Sequence, residues 1–118
     1  MEFDEETASE LIDGSLAQGL CSVAESDQVI GFVLGLAFPS ILNKGYLMGA
    51  ELAWWVEPAH RKSSAGIRLL RHIEKSARDL GIKAWSMMLL ESLEPEKVEK
   101  IYLSIGYEPA ERTFIKYL

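Results

Sequence analysis

The spacing of apolar and polar positions predicts eight elements along the chain. Ala8, Leu11, Ile12, Leu16 and Ala17 recur at helical spacing behind a group of acids, which a helix N-terminus favours, so residues 1–18 read as an amphipathic helix. Residues 20–25 and 29–38 are strand-like runs joined by the turn-prone Ser26-Asp27-Gln28, short enough for an antiparallel hairpin that Pro39 closes. Gly45 and Gly49 flank a short link. Residues 50–57 then read as a third strand with Leu52, Trp54 and Val56 on one face and Glu51, Ala53, Trp55 and Glu57 on the other. Pro58 ends that strand, and the polar residues 60–64 lead into the longest helical pattern. Its apolar stripe is Leu69, Leu70, Ile73, Ala77 and Leu80, its basic face is Arg68, Arg71, Lys75 and Arg78, and Gly81 stops it. Residues 84–90 form a nearly continuous apolar run, expected to be a central strand covered on both faces. Pro95 starts a helix with the stripe Val98, Ile101, Tyr102 and Ile105, Gly106 ends it, and residues 112–118 alternate as a last strand.

Length and composition narrow this further. At 118 residues, 48% of them hydrophobic and three of them Trp, the chain is expected to form one domain over residues 1–118 with its own core. Cys21 is the single cysteine, so no intrachain disulfide or Cys-based zinc site can form. The longest apolar run, residues 29–38, falls short of the roughly 20 residues that cross a bilayer, and the acidic N-terminus lacks the features of a secretory signal. A cytoplasmic protein with no membrane partner is the expectation. His60 and His72 have no carboxylate or Cys partners at ligand spacing, so no metal site is expected. Trp54, Trp55 and Trp85 read as core residues, with Trp55 also placed to flank a bound acyl group, and Cys21, Met87 and Met88 as strand packing.

Charge is unevenly spread. The net charge of −6 disfavours a general grip on nucleic acid, yet residues 1–43 hold eight acids and no Lys or Arg, whereas residues 60–78 carry a local charge of +5. A helix-turn-helix use of the basic helix is disfavoured, because residues 84–90 read as a strand between the two helices. The basic stretch instead coincides with a strand, a polar loop and a helix N-terminus. The first amides of a helix have no intrahelical partner and carry partial positive charge, so such a junction binds anions. Here the loop is His60-Arg61-Lys62-Ser63-Ser64-Ala65-Gly66, with small residues where a phosphate would approach and Arg61 and Lys62 adding charge. The alternative for Ser63 or Ser64 is a simple N-cap.

These residues resemble the GNAT N-acyltransferase superfamily. Its signature at this junction, Arg/Gln-x-x-Gly-x-Gly/Ala after a Val-x-Pro turn, is similar to Val56-Glu57-Pro58 followed by Arg61-Lys62-Ser63-Ser64-Ala65-Gly66, with Ser64 in place of the first Gly. A helix ending in Tyr-x-x-x-Gly-Phe resembles Tyr102-Leu103-Ser104-Ile105-Gly106-Tyr107, and the hairpin of residues 23–38, with Val29-Ile30-Gly31-Phe32, looks like the family's second and third strands. The resemblance covers residues 20–118. It implies an α/β (α+β) fold with a mixed, mostly antiparallel central sheet flanked by helices. It also implies an acetyl-CoA-dependent N-acetyltransferase whose loop residues Arg61, Lys62, Ser63, Ser64, Ala65 and Gly66 hold pyrophosphate, and whose Trp55 and Val56 pair with pantetheine through their backbone. Arg68 and Arg71 would attract the 3′-phosphate.

The resemblance further implies a short member that lacks the family's usual first strand and helix, and with them much of the acceptor wall. The family's frequent Asn at the start of the last helix falls near Pro95, and Ser64 places a Cβ where Gly allows the closest phosphate approach. A catalytically weak acyl-CoA-binding or interaction module is therefore the alternative, and a homodimer would cover the exposed edges. For chemistry, a lysine-like amine is neutral only about once in 2,000 molecules at pH 7, so a base is useful. Glu51 sits ten residues before Arg61, where some family members carry one, and Glu57 is the second candidate. A backbone N–H near Val56 would stabilise the oxyanion, and Tyr102 would donate a proton to the leaving thiolate. The acceptor would be a small-molecule or protein amine, and the acidic N-terminal half would suit a cationic one.

Overall fold

The computed structural model describes all 118 residues, in two compact units, Met1–Met88 and Leu89–Leu118. The first holds α1 (Glu5–Gln18), β1 (Cys21–Ser26), β2 (Gln28–Ser40), β3 (Asn43–Val56), a one-turn 3₁₀ helix (Pro58–His60), α2 (Ala65–Asp79) and β4 (Ala84–Ser86). The second holds α3 (Pro95–Ser104). The sheet order is β1-β2-β3-β4, antiparallel except for the parallel β3/β4 pair, as the mixed α/β expectation required. No helix is long and apolar enough to cross a bilayer.

Local sequence explains the boundaries. Asp4 caps α1 by accepting from Thr7 N at 3.2 Å, and Gly19 ends it at φ +76°, where the Gly19 and Leu20 amides close onto Leu16 and Ser15 carbonyls. The Gln18 side-chain oxygen accepts from Ala37 N at 2.9 Å and ties α1 to β2. Leu11, Ile12 and Leu16 nevertheless lie at the surface, and Ser15 is the residue α1 buries. Asp27, at φ +58°, turns β1 into β2 as its small polar side chain permits. The main core forms where Leu69, Ile73 and Ala77 of α2 meet Ile30, Val33 and Val56 of the sheet with Leu20 and Ile82. Each such Leu or Ile contributes roughly 1.5–3 kcal/mol by leaving water. A 2.7 Å hydrogen bond between Ser22 Oγ and His72 Nδ1 fastens β1 to the same helix.

Five expectations are corrected. Pro39 does not close β2, which runs on to Ser40, and Gly45 and Gly49 lie inside β3 rather than in a link. Residues 84–90 are not a covered central strand: β4 spans only three residues at the sheet edge, and Met88, Leu89 and Leu90 are exposed. Residues 112–118 form no strand, since no ladder pairs with them, and Phe114, Ile115, Tyr117 and Leu118 are exposed. The faces of β3 change places at a bulge. Leu34 pairs with Ala53 and Gly35 with Glu51, so Leu52 has no partner and the alternation resets there.

Trp85 lies flat across the sheet, and glycines make room for it. A Cβ on Gly49 would stand 2.6 Å from Trp85 Cε3, and one on Gly35 would enter the Trp85 ring and come within 2.9 Å of the Ala50 carbonyl. Gly35→Ala is expected to cost roughly 1–3 kcal/mol and lower Tm by about 5–15 °C. A Gly35→Ala protein melting at the wild-type temperature would contradict this packing.

Candidate active site

Beyond Ala50, where the β3/β4 register ends at Ser86, β3 continues to Val56 with no strand on its outer edge. Antiparallel partners alternate between hydrogen-bonded and non-bonded pairs, and the 2.7 Å bond from Glu57 N to Ile30 O sets the phase. The Phe32–Trp55 pair is therefore bonded, and Val56, opposite Gly31, turns its N–H and C=O away from β2. Trp55 was expected to share the cofactor-pairing role through its backbone, but that backbone belongs to the β2 ladder. Its side chain is 40% exposed instead of lying in the core, and the Arg61 guanidinium sits 4.3 Å over the ring. Trp54 and Trp85 do pack against the core.

Arg61 also donates from Nε to the Val56 carbonyl at 2.8 Å, so its side chain ties the loop to the strand end. Within the loop, Ser63 N and Oγ both donate to the His60 carbonyl, at 3.1 and 2.5 Å, and Ser63 Oγ accepts from Ala65 N at 3.2 Å. Ser63 thus performs the capping that Ser64 omits, for Ser64 stands at the N-cap of α2 with no side-chain cap bond. The amides of Arg61, Ser63 and Ala65 are engaged, whereas those of Lys62, Ser64, Gly66 and Ile67 bond to nothing within the chain. Ile67 was missed by the sequence reading, although the count of four orphan amides at a helix start would have included it. On the basic face, Lys75 pairs with Asp79 at 2.9 Å and Arg78 with Glu74 at 3.5 Å, while Arg68 and Arg71 make no ion pair. The junction has the donors an anion requires: unpaired amides, the positive end of a 15-residue helix, and two uncommitted guanidinium groups.

Glu51 lies where the sequence reading did not expect it. Paired opposite Gly35, it shares the face of Val56 and Trp54, because the Leu52 bulge cancels one step of alternation. Only 7% exposed, it accepts the Met88 N–H at 2.9 Å through Oε2. Burial raises its pKa above the ordinary 4.5, and the Met88 amide partly opposes this. The folded chain therefore holds this proton at pH values where the unfolded chain has lost it, and stability falls as pH rises through that window. Glu51→Gln is expected to flatten this slope in urea unfolding from pH 4.5 to neutrality; an unaltered slope would contradict the assignment. Glu57, the other base candidate, is exposed at the end of the strand. Tyr102 lies in the second unit, buried on α3, its ring 5.6 Å from that of Tyr107 at a 48° tilt.

Residues 2–104 match the Acetyltransferase (GNAT) family. The chain belongs to the GNAT acetyltransferase family. Solved structures agree on the fold. A Trypanosoma brucei acetyltransferase aligns over 100% of this chain and 82% of its own, with TM-score 0.76 at 17% identity. The complex of AAC(6′)-Iy with the bisubstrate analogue CoA-S-monomethyl-acetylneamine aligns over 98% and 80%, with TM-score 0.77 at 15% identity. A ribosomal-protein-alanine N-acetyltransferase from Brucella melitensis aligns over 83% and 68%, with TM-score 0.69 at 18% identity. No curated protein matches the sequence. In GNAT terms, the strand, loop and helix of the signature are β3, the turn through residues 57–64, and α2.

Proposed function

We propose that this GNAT protein is an acetyl-CoA-dependent N-acetyltransferase acting on a primary amine. The observation that carries the reading is the set of unbonded amides at Ser64, Gly66 and Ile67, at the end of a strand edge that no other strand covers. That arrangement suits a ligand with a pyrophosphate at one end and an amide-bearing arm that can add to an open sheet edge. The family membership and the CoA-derived ligand of AAC(6′)-Iy support the same class of co-substrate. Acetyl-CoA supplies an activated thioester; the chain supplies binding and proton handling. In this reading the unbonded amides of Lys62, Ser64, Gly66 and Ile67 and the guanidinium groups of Arg68 and Arg71 hold phosphates. Val56 N–H pairs along the open edge, and the Tyr102 hydroxyl gives a proton to the departing sulfur.

The acceptor is proposed to be a cationic small-molecule or protein amine, supported by the eight acids and absence of Lys and Arg in residues 1–43. Thermal unfolding with and without acetyl-CoA, with AMP as control, tests the co-substrate. Ligand at a hundred times its Kd stabilises by about 2.7 kcal/mol, so Tm should rise by roughly ten degrees. No rise at millimolar acetyl-CoA would end this reading. A rise with no turnover across a panel of primary amines would leave a binding module, the outcome that Ser64 in place of the signature Gly favours.

A further inference from the structure

Parallel pairing between β3 and β4 stops at Ala50 and Ser86, yet the two segments remain linked two residues later on β4's side. The link is made by a side chain: Glu51 Oε2 accepts the Met88 N–H at 2.9 Å, doing for Met88 what a β3 carbonyl would do in a continued ladder. Three features make this bond a fixed spacer. Glu51 is buried at 7% exposure, so water competes poorly for its carboxylate. It stands directly opposite Gly35, whose lack of a Cβ admits Trp85, so the strand is held on the core face there. The next residue, Leu52, is the bulge, after which the course of β3 is set by β2 alone. A carboxylate so enclosed, with one oxygen already committed to an amide, is poorly placed to take a proton from an incoming amine.

We infer that Glu51 is a positioning residue, whose carboxylate clasps the Met88 amide and so fixes the separation of β3 and β4 at the mouth of the open edge, and that it is not the base. The effect on cofactor rests on the function proposed above; the clasp itself does not. Both are tested with Glu51→Ala, Glu51→Asp and Glu51→Gln. Asp keeps the charge but is one methylene too short, whereas Gln keeps an acceptor oxygen at the right reach.

Amide hydrogen exchange of the ligand-free chain is the first readout. Met88 is expected to lose about tenfold or more of its protection in the Ala and Asp variants and to retain it in the Gln variant. Acetyl-CoA titration is the second. Affinity should fall about tenfold or more in the Ala and Asp variants and stay within about threefold of wild type in the Gln variant, as the loss of a hydrogen bond to a charged group would give. Should the Ala variant fail to fold, the Asp and Gln pair carries the comparison. Unchanged Met88 exchange in Glu51→Asp would overturn the clasp. A Gln variant that keeps Met88 protected and binds acetyl-CoA normally, yet turns over no amine that wild type acetylates, would overturn the exclusion of Glu51 as base. If wild type binds no acetyl-CoA, the proposed function fails while the exchange result still decides the clasp.

Discussion

Ser64→Asp is expected to weaken acetyl-CoA binding on the order of a hundredfold without lowering the melting temperature. Ser64 stands at the N-cap of α2, exposed and with no cap bond of its own, between the unbonded amides of Lys62 and Gly66. A carboxylate there meets the positive end of the helix and adds a few tenths to 1 kcal/mol of stability. The same carboxylate would face a bound pyrophosphate. Two unit charges about 4 Å apart repel by about 4 kcal/mol at an effective dielectric of 20, so a hundredfold loss, about 2.7 kcal/mol, is a moderate expectation after screening. The two signs together are diagnostic. A general disruption of the loop would lower both Tm and affinity, and an Asp variant that bound acetyl-CoA normally would move the phosphate site away from α2. Paired titration and thermal unfolding of the one protein distinguish these outcomes.

Tyr102→Phe carries the largest expected effect on rate. The ring is buried on α3 against Tyr107, and Phe preserves that contact while deleting only the hydroxyl. A positioned proton donor typically contributes about 10²–10⁴-fold, so turnover should fall by about a hundredfold or more while acetyl-CoA affinity stays within about twofold. The measurement is a single-turnover rate at saturating acetyl-CoA on an amine that wild type accepts. Unchanged turnover would remove Tyr102 from the chemistry and leave it as packing on α3.

The hairpin and the long helix were legible in the sequence because each rests on local physics. Asp27 can adopt the positive φ that the tight turn requires, and Leu69, Leu70, Ile73 and Ala77 recur at the period of the helix face that the sheet covers. The phosphate loop was legible for the same reason: orphan amides are a property of any helix start. The face of Glu51 was not, since a bulge is set by register against β2, and parity counted from Trp54 carries no sign of it. Residues 112–118 misled in the opposite way. Their alternation is a strand pattern, but a strand exists only in a ladder, and composition cannot say whether a partner edge is present. The hydrophobicity of Trp55 points to the core and its place at the strand end to the cofactor, but its stacking under Arg61 depends on a turn that brings residues six apart face to face.

The unpaired Leu52 gives β3 something like a reading frame. Were Leu52 drawn into the ladder as a paired residue, alternation would run unbroken, and either Gly49 and Glu51 or Trp54 and Val56 would have to point away from α2. Because the loop is tied to the Val56 carbonyl through Arg61, the error would pass into the start of α2 as well. A single-residue insertion or deletion among the paired residues 53–56 is thus out of frame for this fold, whereas removal of Leu52 itself straightens the strand and keeps Gly49, Glu51, Trp54 and Val56 on one face. The exposed turn at Ile41 and Leu42 lies outside that frame, so a length change there leaves the register of both faces untouched.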